Sequence, residues 1–148
     1  MILATQSRQP RRGATAVEMA AVIGVFILLL FGILEYCLII FTQNVVENAA
    51  REGCRAAIVN TSQGTLVNDT KNVVKNFMFG INDRYPNYSC EVYLANATGA
   101  NIGSAPNAKF GEYVCVDVKV DYKPMTPGLL YLTQFTIRSK CSMGSEAN

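Results

Sequence analysis

The chain has 148 residues, enough for one domain once its long apolar segment is set aside. Half of the residues are hydrophobic and only 16% are charged, a balance that suits a membrane-anchored protein better than a soluble one. Residues 1–13 carry Arg8, Arg11 and Arg12 and no acid, a charge of +3, while the remaining ten Lys/Arg against eleven Asp/Glu give −1, so the basic character belongs to a tail and no nucleic-acid surface is indicated. Histidine and tryptophan are absent. Without histidine the usual general base, the usual zinc ligand and the second member of most nucleophilic dyads are missing, leaving only Ser–Lys or paired-carboxylate chemistry. The sequence argues against an enzyme, and no catalytic residue, metal site or cofactor is expected.

The first element is apolar. No charge falls between Met19 and Leu34, and past Glu35 the run resumes to Phe41. Met19 to Phe41 is 23 residues. As a helix they would reach about 34 Å, enough for a hydrocarbon core of roughly 30 Å. Arg8, Arg11 and Arg12 precede the run, so the positive-inside rule places the N terminus in the cytoplasm and everything after residue 42 outside. A cleaved secretory signal fits less well. The run exceeds the roughly 7–15 residues of an ordinary h-region, and Glu35-Tyr36-Cys37-Leu38 offers neither a small-x-small site nor a lipoprotein site. The expected organisation is a basic leader over 1–13, a transmembrane helix over 14–42 and an extracytoplasmic domain over 43–148.

Two acids interrupt this apolar helix. A carboxylate at the centre of a bilayer costs several kcal/mol, so each needs an interface or a partner. Glu18 stands at the leader end. Glu35 stands near the far end, from where it can reach towards water or another subunit.

These residues resemble a known pattern. RRGATAVEMA, followed by VIGVFILLLFGILEY, is similar to the N terminus of type IV prepilin-like proteins, and more closely to the TadE-like pseudopilins of tight-adherence (Tad/Flp) pilus systems. The pattern is a basic leader, a glycine at the cleavage point and a glutamate at the fifth mature position. Here these are Arg11 and Arg12, Gly13 before Ala14, and Glu18. GILEY at 32–36 resembles a second TadE-like feature, and the resemblance covers roughly residues 11–45. Flp-type prepilins often follow the glutamate with tyrosine, whereas Met19 stands here. Together with the long C-terminal region, this points to an accessory subunit rather than the major pilin. The resemblance implies cutting after Gly13 by a prepilin peptidase, and residence in a bacterial inner membrane or a pilus. It also implies oligomeric contacts with pilin or pseudopilin subunits, the assembly platform and membrane lipid. The freed ammonium of Ala14 would pair with Glu18 of a neighbour, which makes Glu18, with Glu35, a candidate assembly residue. The alternative is an uncleaved, single-pass anchored binding protein.

Beyond the membrane the helix is expected to continue. Val46, Ala50, Gly53, Cys54, Ala57 and Ile58 recur at helical steps, with Glu47, Arg51, Glu52 and Arg55 elsewhere. This small-residue face suits packing on the protein's own sheet, or on a neighbouring subunit. Asn60 to Gly64 reads as a loop. Ser62 or Thr65 then caps a second helix whose stripe is Leu66, Val67, Thr70, Val73, Val74, Phe77 and Met78, ended by Gly80. Strands follow at Tyr88–Leu94 and Tyr113–Tyr122, both with period-two alternation, around a Gly/Asn/Ala-rich loop at about 96–107. A third strand is expected from about Leu130 to Ser142, after Pro124 and Pro127-Gly128. The fold class is therefore α+β and pilin-like: a long N-terminal helix, a second helix and a three-stranded antiparallel sheet. Asp117 and Lys119 fall on the sheet's polar face, read as solvated.

Cys54, Cys90, Cys115 and Cys141 lie in the part expected in an oxidising compartment, and Cys37 in the apolar run. Four cysteines permit three pairings. Cys90 and Cys115 occupy opposite sheet faces and pair awkwardly. Cys54 reaches a strand cysteine more easily, and four separate core thiols remain the alternative. No CxxC occurs. Four N-x-S/T sequons, at Asn60, Asn68, Asn87 and Asn96, read as chance in an asparagine-rich chain.

Overall fold

The structure is a computed structural model that describes residues 12–59, 64–78, 80–126 and 133–146. Residues 1–11 of the leader, Arg11 included, Asn60 and Ser62, and the Pro127-Gly128 break with the predicted strand start at Leu130 lie outside the described residues.

Helix α1 runs unbroken over Arg12–Val59, 48 residues, or about 72 Å. Its sequence has two regimes. Up to Leu34 the apolar residues surround the axis and face away from the protein; Val17, Phe26 and Ile33 are each more than half exposed. From Glu35 onward one side packs on the domain, burying Val45, Val46, Ala49, Ala50, Cys54, Ala57 and Ile58. The small residues matter by size: a Cβ on Gly53 would stand 2.5 Å from a γ-methyl of Val74 and 3.4 Å from one of Val116. Glycine there lets the helix backbone approach both the second helix and the sheet. The small-residue face thus packs on the chain's own sheet. Arg51 pairs with Glu47, and Arg55 with Glu52, on the outward side.

Helix α2, Leu66–Phe77, lays Leu66, Thr70 and Val74 against α1 and the sheet. Thr65 occupies its N-cap position without a side-chain capping bond. The helix ends at a Met78 cap, before Gly80, and Gly80 (φ 75°) instead opens a single turn, α3, Ile81–Arg84.

Four strands, rather than the expected three, form one antiparallel sheet: β1 Ser89–Ala95, β2 Asn101–Ser104, β3 Tyr113–Tyr122 and β4 Phe135–Gly144. Their spatial order is β2-β1-β3-β4. The three anticipated strands are adjacent as a meander, and the additional β2 takes the edge. It lies in the segment read as a loop because all four of its residues are exposed and carry no apolar alternation. Its pairing is set by the preceding turn. Oδ1 of Asn96 accepts hydrogen bonds from the backbone N–H groups of Thr98 (3.1 Å) and Ala100 (2.9 Å), and from the Thr98 hydroxyl (2.7 Å). Gly99 supplies the left-handed residue at φ 77°.

The face of the sheet under α1 and α2 carries Val114, Val116, Val118, Val120 and Tyr122, all fully buried. Among the described residues no helix covers the opposite face, yet Tyr93, Cys115 and Asp117 are buried there. The expectation of a solvated Asp117 is corrected by its partners. Nε of Arg138 donates to its carboxylate at 2.9 Å, Nη2 donates to the second oxygen, and Lys119 Nζ stands 3.7 Å away. Long basic side chains lie across the strand and shield what the alternation alone assigns to water.

Candidate functional site

Two acids in one helix define the regions of interest, and the structure treats them differently. Near the N terminus, the described part of α1 starts at Arg12 and includes Gly13 and Ala14. Glu18 follows Ala14 by four residues, one turn along the same helical face, and its side chain is exposed. Gly13, Ala14 and Glu18 thus lie within two turns of α1, with Gly13 and Glu18 exposed.

Glu35 is 2% exposed and engaged within its own chain. Its carboxylate accepts from the Tyr122 hydroxyl at 2.6 Å, from the Met125 N–H at 3.1 and 3.2 Å, and from the Thr126 N–H (3.3 Å) and hydroxyl (3.1 Å). Desolvating a carboxylate costs several kcal/mol. Four donors to a charged acceptor, each worth about 1.5–3 kcal/mol, offset that cost. Two features of the sequence build the cradle. Alternation along β3 turns Tyr122 towards the helices, and Lys123-Pro124 ends the strand so that the next two N–H groups point at the helix. Tyr122 is held by Tyr85 and Phe135, with ring centroids 5.8 and 5.3 Å away. Burial, followed by the Glu35 hydrogen bond, pushes the Tyr122 hydroxyl above its ordinary pKa, so it remains a donor.

The water or second subunit anticipated for Glu35 is thus supplied by the chain itself. The head consequently contacts α1 from residue 35 onward. Beside the grip, Tyr36, Cys37, Ile40 and Phe41 stay exposed.

The cysteines are separated by the sheet. Cys90 lies opposite Val118 on the helix-facing side, and Cys115 opposite Tyr93 on the other. Cys141 lies opposite Val116, again on the helix-facing side, directly below Cys54 of α1. None of the five cysteines is disulfide-bonded in this structure, and Cys37 is exposed on the apolar stretch.

Among the described residues, one helix is long and apolar enough to cross a membrane, and it carries an α+β head on its C-terminal part. That architecture is consistent with a single-pass membrane anchor. Residues 13–55 match the family model of TadE-like proteins, from the glycine of the leader motif to the small-residue face that meets the sheet. This segment is similar to TadE-like proteins. Neither the curated proteins nor the solved structures include a match to the chain.

Proposed function

We propose that the protein is an accessory pseudopilin of a Tad-type pilus or a related secretion machine, cut after Gly13 by a prepilin peptidase. The observation that carries this reading is the TadE-like match that starts at Gly13 and runs along α1 through Glu18 and Glu35. The helix anchors the subunit in a bacterial inner membrane, N terminus inside, and the α+β head stands outside to contact other subunits. Its role is structural, in assembly, secretion or surface attachment.

The grip at Glu35 supports a shorter membrane span than the apolar run suggests. With the head seated on residue 35, only Met19–Leu34 remains clear of both charge and domain, 16 residues or about 24 Å. A core of roughly 30 Å then requires the span to begin near Ala14. Glu18 is drawn inside the bilayer edge, where an unpaired carboxylate is costly. The ammonium freed at Ala14 on a neighbouring subunit neutralises it. Each charge loses hydration, so the pair sets register more than it adds stability.

Replacing Glu18 tests the reading. Glu18→Ala should leave membrane insertion and processing intact while abolishing crosslinking to other pilin-type subunits. Unchanged crosslinking and surface function would favour the second reading, an uncleaved anchored binding protein, for which the exposed groove along Phe31, Leu34, Leu38 and Met125 is the feature that invites it.

A further inference from the structure

We propose that Cys54 and Cys141 are joined by a disulfide in the mature protein, tying helix α1 to the last strand of the sheet. The inference rests on the reading that the head lies outside the inner membrane, in an oxidising compartment.

Position selects this pair. Cys54 is fully buried at the helix–sheet contact, next to Gly53, whose missing side chain brings the helix down onto Val116. Its Sγ lies 3.3 Å from the carbonyl oxygen of Val114 and 3.4 Å from that of Cys141, and it neighbours the Cys141 thiol. Cys141 faces Cys54 because its register partner, Val116, belongs to the helix-facing row of β3. Other pairings fail on topology. Cys90 shares that face but sits two strands from Cys141, about 9–10 Å, beyond the roughly 7 Å that a disulfide spans between Cα atoms. Its register partner is Val118, four residues along β3, about 13 Å, from the Val114 over which Cys54 sits, so Cys54 is out of its reach as well. Cys115 points to the opposite face. Cys37 lies on the exposed apolar side of the helix.

The chemistry is thiol–disulfide exchange with a protein thiol oxidant that carries a disulfide. Cys141 lines a surface groove with Arg51, Glu52, Arg55 and Phe77, so it is the sulfur an oxidant reaches. Its thiolate attacks the oxidant's disulfide to give a mixed disulfide and one oxidant thiolate. The Cys54 thiolate then attacks Cys141 Sγ, closing the bond and releasing the oxidant as a dithiol. Two protons leave the protein and two electrons pass to the oxidant. Burial, then the neighbouring Cys141, raises the Cys54 pKa far above the ordinary thiol value. The second step is therefore fastest before α1 is fully seated, which places closure during folding of the head.

The full chain, recovered from its native membrane after acid quenching, would be alkylated in denaturant without reductant. The expected outcome is three of the five cysteines alkylated, a peptide pair joined through Cys54 and Cys141 by mass, and all five alkylated after reduction. Cys54→Ala should release Cys141 to alkylation. In parallel, protease added to intact spheroplasts reports which side the head occupies. Five reactive thiols in a chain whose head is digested from outside would overturn the disulfide while leaving the orientation standing, as would a joined peptide of any other pair. A head protected from that protease would overturn the orientation, and the disulfide with it.

Discussion

Glu35 and Tyr122, 87 residues apart in the chain, meet through a 2.6 Å hydrogen bond at the point where the long helix enters the folded head. The contact turns an acid inside an apolar run into the seat of a domain. It also fixes where the head begins, and hence how much of α1 is left for a membrane.

Removing the hydroxyl should be felt as lost stability. Tyr122→Phe leaves the ring stacking intact but takes one of four donors from a buried carboxylate, a loss of about 1–3 kcal/mol. Denaturant unfolding of the detergent-solubilised chain measures it. A double-mutant cycle with Glu35→Gln should return a coupling of at least about 1 kcal/mol, because the two side chains are in direct contact.

Asp117 makes stability depend on pH in the acid range. Burial alone would raise its pKa, but the Arg138 hydrogen bonds and the charges of Arg138, Lys119 and Lys140 outweigh burial and hold it below the ordinary 3.8. As pH falls, the unfolded chain therefore takes up this proton first. The contribution is fully present above the ordinary value and is lost as pH drops through the folded one. Arg138→Ala should lower stability near neutrality by leaving the buried Asp117 carboxylate without its main partner and flatten the acid limb of a plot of unfolding midpoint against pH. Lys119→Ala, which removes a longer and secondary contact, should cost less.

Gly53 is required by packing. Gly53→Ala brings a methyl into the γ-methyl of Val74, a fully buried β-branched residue with little freedom to move. Overpacking of this kind costs about 1–3 kcal/mol, against roughly 1 kcal/mol regained in helix propensity. The net expectation is a lower melting temperature. Gly32→Ala, with nothing within 4 Å of the new methyl, should leave the unfolding of the head unchanged.

Much of this fold was legible along the chain because its signals are local. The small-residue steps from Val46 to Ile58 revealed both the continuation of α1 and the side it buries, and alternation from Tyr113 to Tyr122 revealed β3 and its inward row. What escaped depends on partners distant in sequence. Strand β2 carries no apolar alternation and exists because an Asn96 turn folds it onto β1. Asp117 alternates like a surface residue, and only the Arg138 lying across it on β4 takes it out of water. Glu35 announced that it needed a partner, but nothing near it in the chain names Tyr122, Met125 and Thr126. Among the candidate site residues, Gly13, Ala14 and Glu18 were singled out by resemblance to the prepilin pattern, since a glycine and a glutamate five residues apart carry little meaning by themselves. Arg11 lies outside the described residues.

The central claim is that Gly13 marks a processing point and that Ala14 begins the working subunit. Its most direct test is the intact mass and N-terminal sequence of the chain recovered from the membrane of cells with active prepilin peptidase. The account predicts a chain starting at Ala14, with the arginine leader gone. A chain that still carries Gly13 and Arg11-Arg12 would contradict it.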